Sequence, residues 1–316
     1  NVFHAAQVMS GMEDIVIAGG TEMMSYTSAT ADPKVPPMLD AGNMSLREKH
    51  PQSQQGVCAD AIATLEGIDR EAADQLAVVS QERAARAIEE GRFDKSVVPV
   101  YNPDGSLALD KEEFPRPGTT MESLAGLKTV FNMFMDIPVD DQGNTYGTMV
   151  TSKYPELEGK MDHVHHAGNS SGVVDGAAAL LLASQDAIDK NGWTPRARIV
   201  ATANMGDCPT LMLNAPEHAA KKVLEKAGLS KDDIGVREVS EAFSVVAERF
   251  IRHLDLDREK VNINGGAMAL GHPIGATGSI LIGTALDELE RSGGKYGLVT
   301  MCAAGGMAPA VVIERV

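Results

Sequence analysis

The chain has 316 residues, longer than one ordinary domain, so two or three packed units are expected. Apolar residues make up 43% of it and aromatics only 4%, which points to a core of Ala, Val, Leu, Ile and Met, built from helices on sheets. A net charge of −16 argues against a nucleic-acid partner and an anionic membrane surface, and no run approaches the ~20 apolar residues of a membrane span. The cysteines (Cys58, Cys208, Cys302) are odd in number and far apart, so no disulfide framework is expected. No charged-then-apolar leader is visible, and a reducing, cytoplasmic compartment follows as the expectation.

The chain opens Asn-Val-Phe-His, without Met, inside what reads as a helix over residues 2–9. Residues 14–20 are a short apolar run closed by a glycine pair, a buried parallel-strand signal. Residues 26–51 are punctuated by Pro and Gly and read as loop. Helices are expected at 56–64 and from Ile68-Asp69 to Gly91, the latter with Leu76, Val79, Ala84, Ala87 and Ile88 on one face. Residues 95–100 are strand-like and enter the turn Asn102-Pro-Asp-Gly. A helix over 119–131 has Glu122 in its first turn and Lys128 in its last. Residues 132–166 have weak periodicity and read as a mobile insert. Within it, Asp162-His163-Val164-His165-His166 has the residue types of a metal site, but no second cluster has matching spacing, so a solvated loop without metal is expected.

From residue 178 onward strands and helices alternate: strands at 178–183, 199–203, 236–239, 297–301 and 310–313, helices at 216–227, 241–254 and 279–289. That order argues for an α/β fold with a parallel or mixed sheet and helices on its faces. The densest chemistry lies between residues 262 and 307. A glycine-rich loop carrying His272 leads into an apolar helix, and the following strand ends on Cys302 and the pair Gly305-Gly306. A His and a Cys leaving two such loops fit thiol and acid–base chemistry better than core packing.

NxxGGAMALGHPIGATG followed by CAAGG resembles the C-terminal signature of the thiolases, acyl-CoA C-acyltransferases that form or cleave 3-ketoacyl-CoA. Residues 18–25 (AGGTEMMS) and 167–179 (AGNSSGVVDGAAA) resemble further segments of that family. The resemblance implies two duplicated αβαβα layered halves plus an inserted loop domain. On that map residues 1–25 with 174–195 are the remainder of the N-terminal half, 26–173 the CoA-binding loop domain, and 196–316 the C-terminal half. It places the family's nucleophilic Cys six or seven residues before Asn1, so the chain reads as a thiolase lacking that part.

The same resemblance assigns roles by residue. Cys302 is the acid–base thiol, whose ordinary pKa of ~8.5 suits that role if its neighbours lower it modestly. His272 activates the nucleophile and donates to an oxyanion. Ala304 stands where the family has a donor glycine, and Ser240, before Glu-Ala-Phe, replaces an Asn or His that positions a water. Arg116, Ser123, Leu127 and Phe131 match residues along the nucleotide and pantetheine of coenzyme A; Leu127 and Phe131 read equally well as core packing. Ser171, Met212 and Phe243 match the pantetheine side. Gln54-Gln55-Gly56 replaces the His-Met-Gly of biosynthetic thiolases and points to fatty-acid or related catabolism. Acyl-CoA and CoA are then substrates with no covalently bound cofactor. Homodimers or homotetramers, and a multienzyme complex, are the assemblies implied. A catalytically impaired thiolase-fold subunit that binds acyl-CoA or scaffolds a partner is the alternative, which the missing nucleophile and Ser240 favour. A ketoacyl synthase on the same fold is disfavoured, because those use two His in place of the second Cys.

Overall fold

The computed structural model describes residues 1–31 and 38–316, so part of the expected 26–51 loop lies outside the described residues. Helix α1 (Val2–Met9) covers the predicted span and leads into β1 (Ile15–Met23). Helices α2 (Met24–Thr30) and α3 (Met44–Lys49) stand where loop was expected. The Asp175 carboxylate holds the start of α2, accepting from the Ser25 amide at 2.9 Å and its hydroxyl at 2.6 Å. On α3 the buried Arg47 binds Asp40 at 2.7 Å and Asp140 at 2.9 Å. Helix α4 (Gln55–Glu66) begins on the Gln54 side chain, and α5 (Arg70–Glu89) on Asp69. The buried face of α5 carries Ala73, Ala77, Ala84 and Ala87, while the expected Ile88 is exposed. Small residues there let neighbouring helices approach closely.

The hairpin of β2 (Val100–Tyr101) and β3 (Leu107–Leu109) closes on the predicted turn. Helix α6 (Met121–Ala125) stops at Gly126, well short of residue 131, so Lys128 lies beyond it. The span 132–166 is ordered structure: α7 (Tyr146–Thr151) starts on a Thr145–Thr148 capping box, and Tyr146, Met149, Val150 and Leu157 are buried. Then follow β4 (Asp175–Ala183), α8 (Gln185–Asn191), β5 (Ala197–Gly206), α9 (Ala215–Ala227), β6 (Ile234–Val239) and α10 (Ser244–Leu254). The chain closes with α11 (Ala267–Leu270), α12 (Ile274–Ser292), β7 (Tyr296–Thr300) and β8 (Met307–Arg315).

Among the described residues the C-terminal strands form one mixed sheet in the order β5-β8-β7-β6, with β6 and β7 parallel and the rest antiparallel. Its two faces carry different apolar clusters. Val239, Leu298, Ala310 and Val312 face α9 and α10, and Val236, Val299, Val311 and Ile313 face α12. On its other side α12 packs on β1 and β4, so helices and sheets alternate in layers. The expectation of a buried parallel strand at 14–20 is corrected here. β1 pairs antiparallel with β4, and its alternate residues Ile15, Ile17 and Met23 are exposed. A run that is apolar throughout does not reveal which of its faces another layer covers.

Candidate active site

The two parallel strands end level with each other, with Val239 opposite Thr300. Ser240 and the Met301-Cys302 pair therefore leave neighbouring strands at one sheet edge, and the Ser240 amide donates to the Thr300 carbonyl at 3.2 Å. Asn262 holds the next loop against this edge. It accepts from the Val239 amide and donates to the Val239 carbonyl, each at 2.9 Å, as an added strand would. Its Nδ2 also donates to Glu241 at 2.7 Å. Buried Glu241, pushed up by that burial, takes further bonds from Ser80 at 2.6 Å and the Met268 amide at 3.2 Å. Asn264 of the same loop donates to Glu288 at 3.1 Å, so the glycine loop hangs on two buried carboxylates.

A strip of backbone from Ser170 to Gly172 ties this loop to the strand ends. Ser170 bridges Phe243, the Ser171 amide donates to the Ala242 carbonyl at 3.0 Å, and the Gly172 amide to the Ala267 carbonyl at 3.2 Å. The Gly172 carbonyl accepts from the His272 amide at 3.0 Å. His272 follows α11 and precedes Pro273, which caps α12. Helix α12 starts five residues earlier than its apolar pattern suggested, so His272 sits at its mouth.

The His272 ring is oriented by a residue the sequence reading missed. Nδ1 lies 2.7 Å from Thr277 Oγ1, and that hydroxyl donates its single proton to the Pro273 carbonyl at 2.9 Å. The contact is then Nδ1–H donating to Thr277, which leaves Nε2 with a free lone pair. The signal was a Thr in the first turn of the helix after His-Pro. Burial depresses the imidazole to about 4, against a small upward pull from Glu22, so the ring is a neutral base at pH 7. Glu22 also accepts from the Gly275 amide at 3.1 Å, which fastens β1 to the start of α12.

Cys302 is buried, and that burial pushes its thiol up to about 12, outweighing its own backbone amide. The modest lowering by neighbours that would bring it toward neutrality is not found: desolvation is the larger cause and sets the direction. Beyond it Ala303 pairs with Met307 around a tight turn in which Gly305 and Gly306 take φ of +78° and +81°. Ala304 is not among the positive-φ residues, so alanine is tolerated where the family pattern has glycine. Ser240 is fully buried, and its Oγ has no partner among the described residues.

The remaining expected residues fall into two groups. Arg116 is exposed; its ring neighbour Phe114, 5.2 Å from the guanidinium carbon, fills the space beside Gly172, where a Cβ would come within 2.2 Å of it. Phe131 lies in a 3-10 turn (Phe131–Phe134) past the end of α6, packed over Gly56 and edge-on to Phe243 with centroids 5.5 Å apart. Leu127 is exposed and reaches Gly168. These, with half-buried Ser171, surround the strip. Ser123 spends its hydroxyl on capping α6, exchanging bonds with Thr120. Met212 is fully buried in the main core at φ +47°. The 162–166 stretch is not a solvated loop: His165 and His166 are buried and bind Asp60 and Asp74. Cys58 is buried and donates to the Thr210 carbonyl at 3.1 Å, and Cys208 accepts from Tyr154 Oη at 3.1 Å. Beside the site, Asn1, Phe3, Ile274, Gly278, Met301 and Ala303 line a cavity of about 580 Å³.

Comparison with known proteins bears on this arrangement. Residues 2–134 match the family model described as "Thiolase, N-terminal domain", and residues 181–315 the one described as "Thiolase, C-terminal domain". Beta-ketoadipyl-CoA thiolase of Pseudomonas aeruginosa is 39% identical over 98% of this chain and 74% of its own length. Human mitochondrial 3-ketoacyl-CoA thiolase is 36% identical over 95% and 71%. A crystal structure of that human enzyme in complex with CoA superposes with a TM-score of 0.80 at 33% identity, covering all of this chain and 75% of that one. The Bacillus anthracis acetyl-CoA acetyltransferase superposes with a TM-score of 0.79 at 32% identity, covering 100% and 76%. The chain belongs to the thiolase superfamily, the acyl-CoA C-acyltransferases.

Proposed function

We propose that this chain supplies the acid–base half of a two-thiol site that forms or cleaves 3-ketoacyl-CoA, and that the acyl-carrying thiolate precedes Asn1. One observation carries the reading: a neutral His272 with Nε2 free stands at the mouth of α12, whose first turns line one cavity with Met301 and Ala303, the chain neighbours of a protonated Cys302. The upstream position has its own support. Asn1 Nδ2 donates to Ser279 Oγ at 3.0 Å and lines the same cavity as Met301 and Ala303, whereas Cys58 and Cys208 are engaged elsewhere.

In the cleaving direction His272 Nε2 takes the proton of the nucleophilic thiol, whose sulfur attacks the keto carbon of the substrate. The new imidazolium then donates to the oxyanion. Collapse breaks the bond between C2 and C3, and the electron pair passes to C2 as the enolate of acetyl-CoA. Cys302 gives that carbon its proton; a thiol held protonated at neutral pH is the form this step needs. The Cys302 thiolate next takes the proton of incoming CoA, whose sulfur attacks the acyl thioester; the nucleophile leaves as a thiolate and recovers its proton from His272. Ser240 holds a water for one thioester oxygen, and the amide of Ala304 serves a second. CoA is a substrate here, not a resident cofactor.

Arg116, Ser123, Leu127, Phe131, Ser171, Met212 and Phe243 are the proposed CoA contacts. The packing of Phe114 on Gly172 and of Leu127 on Gly168 supports Arg116, Leu127 and Ser171 most directly. We propose the domain partition 1–25 with 174–195, 26–173 and 196–316, supported by the β1–β4 pairing. A cytoplasmic catabolic enzyme, homodimeric or homotetrameric, completes the reading. Outward-facing Ile17 and Leu181, 72% and 58% exposed, support the assembly.

Thiolysis of acetoacetyl-CoA by the protein with its upstream thiol tests the roles. Cys302→Ala and His272→Ala each lower turnover by at least about a thousandfold with the fold intact. Undiminished thiolysis by either variant contradicts the mechanism, and CoA binding without wild-type turnover favours a non-catalytic subunit.

A further inference from the structure

Two carboxylates buried on neighbouring helices grip the segment that enters the site. Asp60 of α4 is fully buried and accepts from His163 Nδ1 and His165 Nδ1 at 2.7 Å each, and from the amides of Val164 and His165 at 3.2 and 3.1 Å. Asp74 of α5 binds His166 Nε2 at 2.7 Å, Asn169 Nδ2 at 2.8 Å and Arg70 Nε at 2.6 Å. Asn169 in turn accepts from the His166 amide at 2.8 Å through its side chain, and from the Ser244 amide at 3.0 Å through its carbonyl. The His165 ring stands edge-on to Phe243, centroids 5.5 Å apart, and its Nε2 is buried with no partner among the described residues.

This is an expensive way to hold a loop. With Nδ1–H given to Asp60, Nε2 is an acceptor without a partner among the described residues, a desolvation cost that no bond returns. Apolar residues of equal volume would pack there at lower cost, so fold stability alone does not explain these side chains. What they do fix is register. The strip they pin continues through Ser170 and Ser171 to Gly172, whose carbonyl accepts from the His272 amide at 3.0 Å.

We propose that Asp60 and Asp74, through His165 and His166, are positioning residues for the acyl-transfer site. They set where the Ser170–Gly172 strip lies, and with it the placement of Phe243 and His272. The inference rests on the reading of His272 as the site's base, but its test needs no turnover.

The full chain is labelled with ¹³Cε1-histidine and its eight His signals are followed by NMR over pH, with the His272 signal assigned by its loss in His272→Gln. In wild type, burial holds the His272 midpoint near 4. Asp60→Asn and His165→Phe move the His272 signal and raise its midpoint by roughly one pH unit, because a loosened strip lets water reach the ring. Asp60→Glu, which keeps the charge, restores much of the wild-type position. His165→Phe preserves ring volume and leaves Asp60 its bond to His163, so it decides the matter where Asp60→Asn fails to fold. A His272 signal that stays in place while the melting temperature falls overturns the proposal, whether or not the chain transfers acyl groups.

Discussion

At the scale of single residues, His272 and Thr277 act as one unit. Thr277→Val removes the acceptor of Nδ1–H and frees the imidazole to change tautomer or turn. Turnover by the protein with its upstream thiol falls at least about tenfold while the melting temperature changes little. Unaltered turnover contradicts the tautomer derived from the 2.7 and 2.9 Å bonds. The depressed imidazole also links stability to pH. Between about 4 and the ordinary 6.5 the unfolded chain binds a proton that folded His272 does not. Its share of stability is therefore constant above 6.5 and falls as pH drops toward 4, by roughly 3 kcal/mol over the interval. Urea titrations at several pH values check this: His272→Asn has a shallower loss of stability on acidification than wild type, and an identical slope refutes it. That His272 and Cys302 leave glycine-rich loops next to helix and strand ends was legible from residue type and glycine context. The ionisation of Cys302 was not, since burial is a property of the assembled strands.

Among the elements, β1 and α12 meet through glycines. A Cβ on Gly20 would lie 2.0 Å from the Gly275 carbonyl oxygen, and one on Gly275 would lie 2.4 Å from that of Thr21. Neither obstacle is a side chain that can swing aside. Gly20→Ala therefore lowers stability by about 1–3 kcal/mol and displaces the start of α12, next to His272. A melting temperature equal to wild type contradicts that packing. Gly19-Gly20 was expected to close the strand; the pair lies inside β1, and Gly20 serves a close approach of strand to helix. Elements with a clear period were predicted near their true bounds, as α1, α9 and β6 show. Residues 163–166 failed because partners 92 or more residues away in number cannot be seen from local polarity: His165 finds Asp60 and His166 finds Asp74 only once α4 and α5 have both packed on α10. The early end of α6 was signalled by Gly126, against the end charges Glu122 and Lys128 on which the 119–131 helix was placed.

For the whole molecule, the layered arrangement leaves the outer side of the β1–β4 pair apolar, with Ile15, Ile17, Met23 and Leu181 exposed. Such a face is covered in a stable protein. Sedimentation equilibrium is predicted to give a dimer or larger, and a monomer at micromolar concentration contradicts the proposed assembly. Layer order follows from strand–helix alternation and was legible; the open face was not, because coverage depends on what lies opposite. The central claim is a division of labour, with Cys302 moving a proton and another thiol carrying the acyl group. Trapping the acyl-enzyme of the cellular protein with acetoacetyl-CoA and mapping the adduct by peptide mass spectrometry tests it directly. The account predicts the acetyl group on a thiol outside residues 1–316, with Cys58, Cys208 and Cys302 unmodified; an acetyl group on any of these three would contradict it.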